Sequence, residues 1–187
     1  MFKLFYPHEY VESVFSIDYE KLYQKGYRGI VFDIDNTLVP HGADSTPEVD
    51  EFFTVLHSLG FQTLLLSNND EPRIRRFLKN IDSLYICDAE KPKTDNYLKA
   101  VRKMQLKKEE IVFVGDQIFT DILGANRSGI NNILVKFIGY DTEKKLGIRR
   151  RLERIILTCY RFRRSCQNRI GDIEKKGGSL NYVMEKR

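Results

Sequence analysis

Five runs of apolar residues along the chain predict short β-strands. Each run is four to six residues long, is rich in β-branched and aromatic side chains, and is mostly apolar rather than alternating between apolar and polar. Strands of this kind are typical of a parallel sheet that is covered on both faces, because neither face then meets water. The predicted strands are residues 30–34, 61–66, 84–87, 111–114 and 132–135.

The segments between these runs carry helix signals. Thr46 stands before Pro47, which gives an N-cap followed by proline at the first helical position, and Gly60 ends the helix. Alternating strands and helices predict an α/β fold, here an open three-layer α/β/α sandwich with a mainly parallel sheet. The predicted helices are residues 47–59, 70–78 and 94–105, a helix that reaches residue 125 or beyond, and one or two short pieces within residues 8–25.

Length and composition favour one domain with appendages. The chain has 187 residues, of which 42% are hydrophobic, which is enough for one core of ordinary size. We expect a helical lead-in over residues 1–28, a catalytic core over residues 29–140, and a basic helix and tail over residues 141–187. We also expect a cytoplasmic protein with reduced cysteines, because no apolar run approaches the roughly 18 residues that span a bilayer and the N-terminus has no apolar signal segment.

Two carboxylates mark the end of the first predicted strand. Asp33 and Asp35 lie one residue apart, and two anions this close need a cation. Oxygen donors without a nearby His or Cys suit Mg²⁺, and Mg²⁺ suits phosphate chemistry. A calcium loop is excluded, since Leu38 and Asp44 stand where such a loop needs Gly and Glu. An isolated Asp-x-Asp pair is also common in turns and helix caps, so the interpretation depends on what the other strands carry.

Polar groups follow four of the five predicted strands. The carboxyl ends of parallel strands share one edge of a sheet, which is where α/β proteins bind their ligands. We therefore expect these groups to converge on one site. The groups are Asp33 with Asp35, Ser67 with Asn68, Lys91, and Asp116 with Asp121.

In this order the groups resemble the motifs of the haloacid dehalogenase (HAD) superfamily of phosphotransferases. That superfamily has a D-x-D-x-T motif, here residues 33–37, then a strand-ending Ser or Thr, a Lys, and a G-D-x-x-x-x-D motif, here residues 115–121. The resemblance covers about residues 28–136 and implies a Rossmann-like HAD fold. Within the superfamily the chain is similar to the YqeG-type phosphatases of subfamily IIIA, whose relatives include phosphatidylglycerophosphate phosphatases.

The resemblance implies a role for each carboxylate. Asp33 would be the nucleophile that forms an aspartyl-phosphate, and Asp35 would be the general acid and base. Mg²⁺ would be held by Asp33, by the main-chain carbonyl of Asp35 and by Asp116. Asp121 would support the metal site; the alternative is an acidic residue in the first turn of a helix, where the helix dipole favours it.

The same resemblance implies that Ser67, Asn68 and Lys91 hold the oxygens of the transferred phosphoryl group. Two alternatives stay open at this point. Ser67 and Asn68 are also suited to an ordinary helix cap. Lys91 competes with Lys93 for the role of the phosphate-binding lysine, and we favour Lys91 because it precedes Pro92, as in the Lys-Pro pairs of related phosphatases.

The segments between the first three motifs are each shorter than thirty residues and are filled by one helix and one strand. No cap domain can be inserted, so the active site should be open. An open site suits a phosphate carried by something large, such as a lipid head group in a membrane. The alternatives are a soluble sugar phosphate, a nucleic-acid end phosphate, or a protein without catalysis that binds RNA or a ribosome on the same scaffold.

The basic charge of the chain is concentrated in its last quarter. The net charge is +5, and residues 141–187 hold 14 Lys or Arg against 6 Asp or Glu. Within residues 149–166 apolar side chains recur at helical spacing, and Arg150, Arg151 and Arg154 occupy other faces. This basic amphipathic helix could lie on anionic lipid or pack on the sheet with a solvated cationic face, and the two readings stay open. The sequence leaves the oligomeric state open.

Overall fold

A six-stranded parallel sheet forms the centre of the protein. The computed structural model describes residues 2–138 and 147–175. The strand order is β1-β6-β5-β2-β3-β4, and every pairing is parallel. This architecture confirms the predicted α/β fold. The strands are β1 (Glu9–Val11), β2 (Gly29–Phe32), β3 (Gln62–Leu66), β4 (Leu84–Ile86), β5 (Ile111–Gly115) and β6 (Asn131–Val135).

Helices cover both faces of the sheet, which explains why the strands are apolar at successive positions. Ile30 and Phe32 of β2 pack into one apolar cluster with α1, α2 and α3, while Val31 packs into the opposite cluster with α4 and α5. All three side chains are buried. The helices are α1 (Tyr19–Gln24), α2 (Pro47–Ser58), α3 (Glu71–Phe77), α4 (Thr94–Met104), α5 (Leu123–Ser128) and α6 (Ile148–Arg161).

The connections around β3 are short, as expected. The chain between β2 and β3 contains α2 alone, and the chain between β3 and β4 contains α3 and a single 3₁₀ turn. Both connections lie within the described residues. No cap domain is inserted at either place.

The N-terminal segment differs from the prediction in one respect. Residues 9–11 were expected to be helical but form β1, which pairs in parallel with β6 at the edge of the sheet. A three-residue strand is too short to show a strand period in the sequence, and its pairing with a segment more than 120 residues away decides the outcome. Helical pieces follow it at Val14–Ser16 and α1. The division into lead-in, core and tail stays a prediction.

The C-terminal helix α6 packs on the body with one of its faces. Ile156 and Leu157 contact the buried residues Ile118, Ile122 and Leu134. The predicted helix over residues 149–166 is present, but α6 ends at Arg161 and a 3₁₀ turn occupies Arg164–Cys166. The last part of the predicted tail, residues 176–187, lies outside the described residues.

None of the helices in the described ranges 2–138 and 147–175 is both long enough and apolar enough to cross a bilayer.

Candidate active site

The loop after β2 places the two motif aspartates in different surroundings. The Asp33 amide still donates to the Val114 carbonyl, 2.9 Å away, and so extends the pairing of β2 with β5. The chain then turns sharply, with the Ile34 carbonyl accepting from the Leu38 amide at 2.9 Å. Asn36 takes a left-handed φ of 63°, which Asn tolerates better than most residues. As a result Asp33 is buried below the edge of the sheet and Asp35 is only partly buried.

Asp33 belongs to a buried cluster of charged groups. The Lys91 ammonium lies 2.6 Å from one Asp33 oxygen and 2.8 Å from an Asp121 oxygen. Thr37 Oγ1 lies 3.4 Å from both Asp33 Oδ2 and Asp116 Oδ1. Asp33, Asp116 and Asp121 each bring one oxygen to within 4.8 Å of the others. The structure thus brings together groups that follow β2, β4 and β5.

This cluster fits a hard divalent cation. Burial raises the pKa of Asp33 to about 6, although the nearby Lys91 ammonium opposes the shift. Burial likewise raises the pKa of Asp116 to about 8 against the opposing charge of Arg150. Three buried carboxylates stand against two cationic side chains, so a further cation would relieve their repulsion. All the donors are oxygens, the type of ligand that Mg²⁺ prefers.

The cluster differs from the predicted metal ligands in composition. Asp33 and Asp116 lie together as expected, and Asp121 stands beside them. The Asp35 carboxylate is not a member of this cluster, and the resemblance assigned only its main-chain carbonyl to the metal. The ligand roles of these residues stay predictions.

Asp35 is held instead by donors from two neighbouring loops. Its carboxylate accepts from Asn69 Nδ2 at 2.6 Å, from Arg73 Nη2 at 3.1 Å and from the Gly42 amide at 2.9 Å. Burial alone would raise the pKa of Asp35, but these hydrogen bonds and the Arg73 charge outweigh burial and hold the pKa below its ordinary value. Asn69 and Arg73 were not among the predicted site residues.

Ser67 and Asn68 lie at the end of β3 but do not cap a helix. The N-cap of α3 is Asp70, whose side chain accepts from the Arg73 amide at 3.1 Å, so the helix-cap interpretation of Ser67 and Asn68 is wrong. Ser67 is buried, and its hydroxyl accepts from the Asn69 amide at 3.2 Å. Asn68 Oδ1 accepts from the Lys91 amide at 2.8 Å and so connects the second loop to the third.

The two candidate lysines have very different surroundings. The Lys91 side chain is only 4% exposed and its ammonium contacts Asp33 and Asp121. The Lys93 side chain is 64% exposed and pairs with Glu90 on the surface. The geometry therefore places Lys91, and not Lys93, against the candidate nucleophile.

Arg150 of α6 also reaches the carboxylate cluster, which corrects the sequence interpretation. The sequence put Arg150 on the basic side of the amphipathic helix, with lipid contact and a solvated face both left open, yet its guanidinium forms a short ion pair with the Asp116 carboxylate. It also donates to the Asp116 main-chain carbonyl at 2.9 Å. Helical spacing shows which residues share a face, but it does not show which face meets the body of the protein. That is why the sequence could not place this residue.

An open groove adjoins the cluster on the side of Lys91. Its volume is about 380 Å³. Apolar side chains from the loop after β4, from the helical segment Ile118–Ile122 and from α6 form most of its wall, and the exposed Arg149 adds a positive charge. The lining residues are Lys91, Pro92, Phe119, Thr120, Arg149 and Leu152.

Sequence comparisons identify relatives of the chain. The family described as haloacid dehalogenase-like hydrolase matches residues 42–129. The probable phosphatase YqeG of Bacillus subtilis is 38% identical over 157 residues, which are 83% of this chain and 91% of that protein. Phosphatidylglycerophosphate phosphatase 1, chloroplastic/mitochondrial, of Arabidopsis thaliana is 27% identical over 140 residues, which are 70% of this chain and 40% of that protein.

Structural comparisons agree on the fold. NagD from E. coli K-12 superposes with a TM-score of 0.51 at 15% identity, covering 66% of this chain and 94% of that chain. An uncharacterized protein from Listeria monocytogenes superposes with a TM-score of 0.50 at 20% identity, covering 72% of this chain and 99% of that chain. At these identities the likeness concerns the fold alone.

Proposed function

Because the chain belongs to the haloacid dehalogenase-like hydrolase family, we propose that it is a Mg²⁺-dependent phosphatase that acts through an aspartyl-phosphate on Asp33. The preferred substrate is a phosphate on a lipid head group such as that of phosphatidylglycerophosphate. The observation that carries the proposal is the buried contact of Asp33 with Lys91 inside a cluster of carboxylates at the carboxyl edge of the sheet.

Asp33 is the nucleophile in this proposal. Its ionised form is held beside the Lys91 ammonium at 2.6 Å, which fixes the direction of the carboxylate before substrate arrives. A bond forms between an Asp33 oxygen and phosphorus while the bond from phosphorus to the leaving oxygen breaks, and the leaving oxygen takes a proton. Water then attacks the phosphorus of the aspartyl-phosphate, which releases inorganic phosphate and restores Asp33.

Asp35 transfers a proton in each of the two steps. It protonates the leaving oxygen first and takes a proton from the attacking water afterwards. Its lowered pKa favours the ionised form that the second step requires, so the first step proceeds from the minor, protonated form of Asp35. The hydrogen bonds from Asn69 and Arg73 orient the carboxylate, so both residues are proposed to position Asp35.

The phosphoryl oxygens are proposed to bind Lys91, Ser67 and Asn68 at the ends of β3 and β4. Asp33, Asp116 and the Asp35 carbonyl would hold Mg²⁺, with Asp121 in support. The cation would supply positive charge that offsets the repulsion between the attacking carboxylate and the phosphate. Asp121 also fixes Lys91, whose ammonium it accepts at 2.8 Å.

Three observations support a lipid substrate. No cap is inserted in the described connections between β2 and β4, the groove beside Lys91 has an apolar wall, and a relative from Arabidopsis thaliana carries the name of a phosphatidylglycerophosphate phosphatase. In addition, the outer face of α6 exposes apolar side chains between arginines, as an interfacial helix does. We call this surface the outer face; it comprises Ile148, Arg149, Arg151, Leu152 and Ile155 of α6, and Phe162, which directly follows the helix.

Contact of the outer face with anionic lipid would place the protein at the cytoplasmic side of a membrane. Phe162 is 85% exposed and Ile148 is 78% exposed, which is unusual for large apolar side chains. Each arginine near an anionic surface contributes about 1 kcal/mol to binding. A protein that only binds RNA or a ribosome would have no use for the buried carboxylate cluster, so the catalytic reading is preferred.

A phosphate-release screen tests the proposal. The purified protein with Mg²⁺ is offered phosphatidylglycerophosphate in mixed micelles, sugar phosphates, nucleotides and oligonucleotides with terminal phosphates. We expect the highest kcat/KM for the lipid phosphate, and Asp33→Asn serves as the control for contaminating phosphatases. Faster hydrolysis of a soluble sugar phosphate or of an oligonucleotide would replace the lipid assignment. No hydrolysis of any ester would contradict the catalytic proposal.

A further inference from the structure

Arg150 is fixed by four groups at once. Its guanidinium forms the short ion pair with the Asp116 carboxylate, donates to the Asp116 carbonyl at 2.9 Å, and donates to Glu153 Oε2 at 3.0 Å. The guanidinium also lies over the Phe137 ring, 4.5 Å from the ring centroid. A planar group with five donors can satisfy all these partners together, and a lysine ammonium cannot.

Glu153 fixes the same loop from the next turn of α6. It is buried, and its Oε1 accepts from the Ile118 amide at 2.8 Å. Burial raises the pKa of Glu153, which the hydrogen bonds from the Ile118 and Phe119 amides and the charge of Arg150 oppose. Arg150 and Glu153 are three residues apart and therefore lie on one face of the helix. Together they hold residues 116–119, where the turn after β5 enters the helical segment Ile118–Ile122, at the Asp116 carboxylate, the Asp116 carbonyl and two main-chain amides.

We propose that Arg150 and Glu153 are positioning residues of the active site, which act through Asp116 and so make the C-terminal helix α6 a part of the catalytic centre. The inference rests on the proposed function for the meaning of Asp116 as a metal ligand. Arg150 sets the orientation of the Asp116 carboxylate, and Glu153 holds Arg150 and the loop in place.

The two Asp116 oxygens have different partners, which favours a positioning role for Arg150 over competition between Arg150 and the cation. Arg150 takes Oδ2, while Oδ1 lies 3.4 Å from Thr37 Oγ1, which in turn lies 3.4 Å from Asp33. One Asp116 oxygen is therefore bound by Arg150 of α6, and the other lies on the side of Asp33. Outer partners that bind one atom of a ligating group orient the other and increase its affinity for the metal. If Arg150 instead competed with the cation for Asp116, removing it would increase metal affinity.

The test is a titration of the protein with Mg²⁺ or Mn²⁺ by calorimetry, without substrate. Arg150→Gln and Arg150→Lys are compared with Arg102→Gln, which removes the same charge from an exposed position on α4. We expect Arg150→Gln to weaken metal binding by about 10- to 100-fold. Arg150→Lys should recover only part of the loss, and Arg102→Gln should bind as the wild type does. Tighter binding by Arg150→Gln, or unchanged binding, overturns the inference.

Two further measurements separate positioning from a general loss of structure. Glu153→Gln keeps an oxygen for the Ile118 amide and loses the ion pair with Arg150, so it should weaken metal binding by a smaller factor, about 3- to 10-fold. Kinetics with a soluble phosphate ester at saturating Mg²⁺ should show a lower kcat with KM nearly unchanged for Arg150→Gln. If Arg150→Gln loses activity only in proportion to the fraction unfolded in thermal melts, its role is structural and the inference is wrong.

The outcomes also separate this inference from the proposed function. Wild-type protein that binds the cation while the Arg150 and Glu153 variants bind it equally well would overturn the positioning role alone. Wild-type protein that binds neither Mg²⁺ nor Mn²⁺ would overturn the proposed metal site and the inference with it. Cation binding that weakens in the variants, in a protein that hydrolyses no phosphate ester, would support the positioning of Asp116 and contradict the catalytic proposal.

Discussion

The carboxyl edge of the sheet and the helix α6 contribute to the same site by different means. At the sheet edge each group follows its own strand, so the parallel sheet brings Asp33, Lys91 and Asp116 together as a consequence of the fold. Helix α6 lies outside the sheet and reaches the site through Arg150 and Glu153. Its opposite face leaves Leu152 and Phe162 exposed.

This difference distinguishes the residues that are proposed to take part in the reaction from those that position them or bring the substrate to the site. The groups at the sheet edge are proposed to touch the phosphate or the cation, so their loss should remove a step of the reaction. The inner face of α6 carries Arg150 and Glu153, which are proposed to act through Asp116, so their loss should weaken that ligand. Arg151 and Phe162 of the outer face are proposed to touch neither the phosphate nor the cation and do not line the groove beside Lys91, so their loss should affect only the delivery of a membrane-borne substrate. The expected effects therefore fall in this order.

Replacement of the nucleophile should have the largest effect. Asp33→Asn should reduce kcat by at least about 1,000-fold, because an amide does not attack phosphorus. The measurement is phosphate release from a soluble ester, with thermal melts to show that the variant is folded. Asp82→Asn, at an exposed aspartate, is the matched control and should keep wild-type turnover. Near-normal turnover by Asp33→Asn would contradict the covalent mechanism.

Replacement of the buried lysine should come second. Lys91→Gln should reduce kcat/KM by about 100-fold, because it removes the charge that faces the phosphoryl group and leaves Asp33 and Asp121 without their shared cation. It should also lower the thermal midpoint, since buried carboxylates without a partner are costly. Lys93→Gln removes an equal charge two residues away and should change neither quantity. Equal losses in the two variants would contradict the assignment of Lys91.

The pH dependence of stability gives a smaller effect with a definite sign. Between pH 4 and 8 Asp33 and Asp116 bind more protons in the folded, metal-free protein than in the unfolded chain, because burial raises the pKa of Asp33 to about 6 and that of Asp116 to about 8. Their contribution to stability therefore falls as pH rises through this range. The two carboxylates are more fully ionised at pH 8 than at pH 5, and a bound cation offsets the repulsion between them. Mg²⁺ should therefore raise the thermal midpoint more at pH 8 than at pH 5.

The control for this prediction is Asp116→Asn, which removes one of the two titrating groups. It should flatten the pH dependence of the metal-free protein and reduce the gain from Mg²⁺. A gain in thermal midpoint that is the same at pH 5 and pH 8 in the wild type would show that these carboxylates do not bind the cation.

Changes on the outer face should have the smallest effect on chemistry. Arg151→Gln combined with Phe162→Ser should weaken binding to anionic vesicles and slow hydrolysis of a vesicle-borne lipid phosphate several-fold. High salt should have a similar effect on the wild type, because surface electrostatics is screened over about 8 Å at physiological ionic strength. Hydrolysis of a small soluble ester should not change. Equal losses on both substrates would make the outer face a structural element and remove the support for membrane contact.

The sheet and the groups at its edge could be predicted because each is a local feature of the sequence. A short apolar run followed by Asp33, Ser67 or Asp116 identifies both a strand and what stands at its end. Strand β1 was missed because its identity depends on pairing with distant β6. Asn69 directly follows Ser67 and Asn68, so its place near the site could have been inferred from the sequence. No local feature shows that its side chain contacts Asp35.

The contacts of Arg150 and Glu153 with the site could not be predicted from the sequence. Glu153 is the single acidic residue within residues 149–164, and Arg150 stands three residues before it, which is a signal for a shared face. Whether that face meets solvent or Asp116 depends on how α6 packs on Ile118 and Leu134. Helical periodicity does not contain this information. Arg73 was missed for the same reason, because it is buried toward Asp35 from the first turn of α3.

The stereochemical course at phosphorus tests the central claim, that Asp33 takes the phosphoryl group, most directly. Each in-line displacement inverts the configuration, so two displacements give net retention. The substrate is a soluble phosphorothioate ester made chiral with two oxygen isotopes and hydrolysed in water of the third. We predict that the wild-type protein with Mg²⁺ releases thiophosphate with retained configuration. Inversion would show that water attacks the ester directly and would contradict the account.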